Sequence, residues 1–307
     1  MRRGVALLPD SAVLLALSVA IGVTLPPLAS LFRPLIYPSI FFLILLSLLV
    51  MDLPRLLREL RGELGAVMRV SLWNMLALPA AVAALHLYTP LGGQITGFAF
   101  YTACAATIFG APAFARLMGL DEPLTLKGTL AAVLVMPVTL PVLAGWVRGS
   151  AEGFSLTAYG WRLVVFLVVP LAIALACHSR PRLAEALKRS APVHNGSVFF
   201  LCLFAIGIMD GIGARFVEAP GRMFSLLAAA LAIHVVLFVA GALAFARSGA
   251  SFALAAGLLA SYRNLGLLLA VAGPLLPKDF IVFVAIWQVP MYLTPLVMRR
   301  FGIRAGG

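Results

Sequence analysis

Between Ser11 and Met298 the sequence is a succession of apolar runs, each about as long as a bilayer is thick, separated by short stretches of Arg, Lys, Pro and Gly. Apolar types fill 63% of the 307 positions and charged residues only 11%, and the mean hydropathy is +1.07. A soluble domain carries about a quarter of its residues charged. This chain has too few to cover a water-facing surface, so most of its surface must meet lipid. With roughly 20 apolar residues per span, the length allows about ten spans joined by short loops, and no separate soluble domain.

The runs predict spans at Ser11–Leu31, Pro34–Met51, Leu64–Leu87, Gly93–Met118, Leu124–Val147, Leu163–Cys177, Asn195–Asp210, Met223–Phe245, Phe252–Leu276 and Phe280–Met298. The first begins after Arg2 and Arg3 like a signal peptide, but it ends in Pro26, Pro27 and Phe32 without a small-residue cleavage site, which favours a retained span.

The net charge of +12 does not point to nucleic acid. Lys and Arg sit at the ends of apolar runs, and no basic stripe interleaves with aromatics as strand binding requires. Sorted onto alternate loops, sixteen of the 23 basic residues fall on one side, Arg2, Arg3, Arg55, Arg61 and Arg304 among them, and six on the other, including Arg33 and Lys278. Basic loops remain cytoplasmic, so both termini are expected inside, in agreement with an even number of spans. Cys104, Cys177 and Cys202 all lie in apolar runs, without the spacing of a metal site or a disulfide framework.

The chain repeats itself. Ser39-Ile-Phe-Phe-Leu, in a run ending at Met51-Asp52, recurs 158 residues later as Ser197-Val-Phe-Phe-Leu in a run ending at Met209-Asp210, with 7 of 14 positions identical. A weaker match at an offset of 153 pairs Phe109 with Tyr262, Pro137 with Pro290 and Leu140 with Leu293. The expected fold is therefore all-α, with one five-helix repeat over 1–150 and a second over 151–307. An odd number of spans per repeat inserts the second upside down, and inverted repeats typify secondary transporters.

Polar groups inside spans are expensive unless satisfied, and so they are the informative residues. Arg263 lies near the middle of the ninth span beside Ser261, Tyr262, Asn264 and Gly266. A permanent cation there either contacts substrate, or replaces a coupling cation, or binds the loose carbonyls of a broken helix and locks its halves together. The corresponding stretch of the fourth span, Thr107 to Gly110, Ala111 and Pro112, is uncharged, and its Gly and Pro favour a break or a kink. Asn74, five residues before Pro79, and Gln288, just before Pro290, could line the same cavity or sit at helix contacts. His86 and His234 read as isolated structural or interfacial residues. No Asp or Glu lies mid-span, whereas cation-coupled carriers commonly place a carboxylate there. The chain has no zinc-protease motif and no carboxylate dyad, so an enzyme is not expected.

These features resemble the bile acid:sodium symporter superfamily, in the run ending Met51-Asp52, in Asn74 before Pro79, in Cys104 through Gly119 and above all in Tyr262-Arg-Asn-Leu-Gly266. The resemblance covers nearly the whole chain. It implies ten helices in a bacterial inner membrane, with the fourth and ninth unwound and crossing at the midplane. It also implies a core of helices 3–5 and 8–10 that moves against a panel of helices 1, 2, 6 and 7. The family's sodium-site residues align with Gly110, Ala111, Leu259, Arg263 and Asn74, of which Gly110, Ala111 and Leu259 have no side-chain oxygen. Asn264 matches, with Thr125 and Thr129 as further matches. Sodium is thus not an expected cofactor. The expected activity is alternating-access transport of a small organic anion, a carboxylate foremost, at the crossing. Arsenite efflux, as in related carriers with a cysteine near Cys104, is the alternative. A non-transporting receptor or sensor is the alternative from another class, and an attached signalling domain would favour it.

Overall fold

A computed structural model describes residues 11–54, 56, 58, 64–90, 93–148, 155–273, 276, 277 and 279–300. Arg2, Arg3, Arg55, Arg61, Lys278 and Arg304, which enter the charge bias, lie outside them. The described residues are helical but for turns and one isolated bridge between extended segments. The helices are α1 Ser11–Thr24, α2 Pro26–Val50, α3 Leu64–Tyr88, α4 Gln94–Cys104, α5 Ala111–Leu117, α6 Glu122–Arg148 and α7 Leu156–His178. They continue as α8 Pro181–Lys188, α9 Ala191–Ile208, α10 Ile212–Glu218, α11 Pro220–Ala244, α12 Ala250–Ser261, α13 Leu265–Ala272 and α14 Phe280–Arg300. Six stretches among the described residues are long and apolar enough to cross a membrane: α2, α3, α6, α7, α9 with α10, and α11. Leu14–Thr24, α12 and Phe280–Met291 are shorter apolar helices. Large apolar side chains such as Leu31, Val138, Trp161 and Leu243 are at least 67% exposed, which only a lipid solvent tolerates in such number. The chain is an all-helical membrane protein.

Prolines account for the main departures from the expected spans. The first helix ends at Thr24 rather than Leu31, and Pro26 and Pro27 open the next helix instead of closing the last. A proline in the first turn gives up an N–H that has no intrahelical acceptor, and its φ is already helical. Pro79 and Pro170 each follow a single π-turn, Trp73–Ala77 in α3 and Val164–Val168 in α7. Each proline removes one donor and crowds the carbonyl four residues before it, and a widened turn relieves both.

The chain forms two compact units, each built from both halves of the sequence. One comprises Met1–Arg58 with Leu156–Met223, the other Glu59–Ser155 with Phe224–Gly307. In the first unit α2 and α9 run antiparallel. Phe42 stacks on Phe200, a Cβ on Gly196 would meet Leu46, and a Cβ on Gly207 would meet Ile36 and the Phe32 carbonyl. An ion pair closes each end of this helix pair, Arg33 with Asp210 at 3.1 Å and Lys188 with Asp52 at 2.8 Å. The two ring nitrogens of His178 each lie 2.6 Å from a carbonyl, Nδ1 from that of Ala174 and Nε2 from that of Met51.

The second unit carries the two interrupted helices. Residues 105–110 separate α4 from α5, and Tyr262 to Asn264 separate α12 from α13. Its core gathers Val67, Val70, Ala111, Ala115, Met118, Leu259 and Tyr262. α12 packs closely on α11, since a Cβ on Gly241 would lie 2.6 Å from Ala260 and one on Gly257 2.7 Å from the Phe238 carbonyl. Gly119, at φ +67°, makes the turn from α5 into α6, a conformation open to glycine at little cost.

Candidate functional site: the crossing of two interrupted helices

At the interruptions the backbones pair with each other. Thr107 and Arg263 form an antiparallel bridge, in which Ile108 N–H donates to the Tyr262 carbonyl at 2.8 Å and Asn264 N–H to the Ala106 carbonyl at 2.7 Å. Unwound backbone in an apolar interior needs such partners, and the two breaks supply them to each other. Thr107 Oγ1 donates to the Leu259 carbonyl at 3.0 Å, in the last turn of α12. Asn264 caps α13, its Oδ1 accepting from Leu267 N–H at 2.9 Å.

Arg263 lies at the centre of the crossing and is 1% exposed. Its Nε donates to the Ala260 carbonyl at 2.6 Å, one Nη to Ala105 at 2.9 Å and the other to Asn74 at 3.1 Å. Ala260 and Ala105 stand at the C-terminal ends of α12 and α4, where carbonyls lack helical partners and the helix dipole is negative. The Asn74 carbonyl belongs to the π-turn forced by Pro79. One guanidinium thus ties three discontinuities together, a task for which its planar fork of donors is suited. Among the described residues no carboxylate pairs with it, so its charge meets only neutral dipoles. Cys104 is buried within electrostatic reach.

The expected site residues separate into groups. Asn74, Thr107, Ser261, Tyr262, Arg263 and Asn264 come together at the crossing, and Gly110, Ala111 and Pro112 begin α5 beside it. Of these, Gly110 and Asn264 are partly exposed, as is Gly266, while the others are buried. Asn74 Oδ1, also buried, makes no hydrogen bond within the protein. Ser261 Oγ donates to the Leu258 carbonyl at 3.4 Å. Leu259 packs on α6, where a Cβ on Gly128 would come within 2.6 Å of it. Thr125 and Thr129 donate to the carbonyls four residues earlier, of Asp121 and Thr125. Gln288 Nε2 donates to the Val284 carbonyl at 3.3 Å within its own helix.

Sequence reasoning missed the neighbours of Tyr262. Its ring packs 5.0 Å from Phe114 and 5.4 Å from His234, which in turn lies 5.5 Å from Trp287. His234 had read as isolated because its partners are on other helices. No protein-family model matches this chain, and no curated protein does.

Proposed function

We propose that the protein is a secondary transporter of a small organic anion, foremost a carboxylate, of the bile acid:sodium symporter type. The observation that carries this reading is a permanent cation at the crossing of two interrupted helices, held by neutral carbonyls and paired with no carboxylate among the described residues. A buried charge left in that condition favours any arrangement that brings an anion near. At about 8 Å and an effective dielectric near 20, the attraction is about 2 kcal/mol. The amino-terminal end of α13 adds to it, and the partly exposed Gly110, Asn264 and Gly266 are where an anion would approach.

In this reading the six long helices, α1, α14 and the interrupted pairs α4–α5 and α12–α13 make ten spans in two inverted five-helix repeats. The unit containing the crossing is the core and the other the panel. Sodium is not required, because the guanidinium supplies a positive charge that cannot leave and Leu259 offers an ion no oxygen. The buried position of Cys104 disfavours arsenite, which needs an accessible thiolate. The test is uptake of labelled acetate, succinate and benzoate into proteoliposomes, with sodium, proton or no gradient. Saturable uptake of at least one carboxylate without sodium is expected, and uptake of none would overturn the reading.

A further inference from the structure

Arg263 and Asn74 both keep unused hydrogen-bonding capacity at the crossing. A guanidinium carries five N–H donors. Three of those of Arg263 go to the carbonyls of Ala260, Ala105 and Asn74, so two remain open among the described residues. The side-chain oxygen of Asn74 is buried as well and accepts no hydrogen bond within the protein. Of the buried polar atoms in that condition among the described residues, it alone belongs to a residue that hydrogen-bonds Arg263. Buried donors and acceptors are normally satisfied. Both kinds left open on neighbouring residues suit a ligand that supplies an acceptor to one and a donor to the other.

Other polar side chains of the crossing are already engaged. Thr107 donates to the Leu259 carbonyl and Ser261 to that of Leu258, and Asn264 Oδ1 caps α13. Asn74 differs in lying within the π-turn of α3, a distortion frequent at functional sites. Its backbone carbonyl is 3.1 Å from one Nη of Arg263, and Oδ1 belongs to the same residue, so the open acceptor lies within about 9 Å of the guanidinium. A carboxylate and a hydroxyl one or two carbons apart, each at a hydrogen-bond distance of about 2.7–3.0 Å, span such a gap.

We propose that the anion bound at the crossing is a short hydroxy acid, with its carboxylate on Arg263 and its hydroxyl donating to Asn74 Oδ1. This rests on the anion reading above and narrows it. The carboxylate accepts from the two open N–H groups of Arg263, so the three carbonyls that hold the broken helices keep their donors. The hydroxyl supplies the acceptor that the protein leaves unfilled. A carboxylate lacking the hydroxyl seals that acceptor in without a partner, and a site built to bond a hydroxyl rejects the analogue without one for this reason. A keto acid is disfavoured too, because its ketone oxygen donates nothing and would face the amide oxygen acceptor to acceptor.

The test compares binding of matched acids to the purified full chain at neutral pH, where all are ionised and each pair differs only in the hydroxyl. The pairs are acetate with glycolate, propionate with lactate and succinate with malate, and pyruvate serves as the keto acid. In at least one pair the wild type should bind the hydroxy acid more tightly by about threefold or more, as one added neutral hydrogen bond gives. Asn74→Leu, close in volume, should erase that preference. It replaces an unpartnered buried amide by an apolar group, so it should be no less stable than the wild type. Affinities within about threefold in every pair overturn this proposal alone, and are the result expected if a water fills the amide instead. Pyruvate bound more tightly than lactate, or a preference kept in Asn74→Leu, overturns it too. The wild-type comparison decides the matter without the variant should Asn74→Leu not fold. Binding of none of these carboxylates overturns the anion reading and this proposal with it.

Discussion

Phe42 lies face to face on Phe200, with ring centroids 4.5 Å apart and planes 14° apart, and the two residues occupy the same place in the 158-residue repeat. A residue that packs on its own counterpart sits on the two-fold axis of a self-complementary contact. The flanking ion pairs fit the same relation. Arg33, just before the repeated segment, meets Asp210 at the end of its copy, while Lys188, before the copy, meets Asp52 at the end of the original. Antiparallel copies related in this way require a rotation about an axis across the helices, which supports the inverted-repeat reading.

The stack should therefore contribute more than the ion pairs. A double-mutant cycle on Phe42→Ala and Phe200→Ala, read from unfolding in detergent, is expected to give a coupling of about 0.5–1.5 kcal/mol. Each exposed ion pair should contribute at most about 1 kcal/mol. The charge reversal Asp52→Lys should be rescued by Lys188→Asp.

α11 and α12 approach so closely that a side chain cannot enter. Gly241→Val or Gly257→Val would drive a methyl into Ala260 or the Phe238 carbonyl, at a cost of roughly 1–3 kcal/mol. Because α12 ends at the crossing, both variants should also weaken anion binding. A variant as stable as the wild type would show that the contact is not tight in solution.

Much of this was legible in the residues. Gly110, Pro112 and Arg263 marked both interruptions, because each is unfavourable in a continuous apolar helix. Pro26 misled, since a proline ends one helix and starts another equally well, and only the following Pro27 and the apolar run to Val50 pointed to a start. The partners of Arg263 were illegible for a different reason: they are backbone carbonyls, which every residue has. His234 looked isolated because the ring contacts that matter cross from α11 to the break and to α14, a relation that spacing along one chain does not reveal.

Transport should not depend on sodium. A sodium ion takes several oxygen ligands, preferably with a carboxylate, as hard cations do. Here Leu259 is packed on Gly128, and the Thr125 and Thr129 hydroxyl protons are directed to their own helix. Replacing sodium by potassium at constant ionic strength should leave carboxylate binding unchanged. A steep rise with sodium alone would refute this.

Substitution of Arg263 separates its two tasks. Arg263→Gln leaves the Ala105, Asn74 and Ala260 carbonyls with at most one amide between them, and each unsatisfied buried group costs about 1–3 kcal/mol. A drop in stability of about 2–5 kcal/mol is expected, along with loss of the roughly 2 kcal/mol attraction to an anion, or about thirtyfold in affinity. Arg263→Lys keeps the charge on a compact ammonium that cannot span three carbonyls in a plane. It should lose stability as well but retain most of the anion affinity, so the two variants diverge in binding while agreeing in direction of stability. Thermal unfolding and carboxylate binding measured on the same preparations give both quantities. A folded Arg263→Gln protein with unchanged anion affinity would leave the guanidinium as a staple between broken helices and remove the charge from the transport reading.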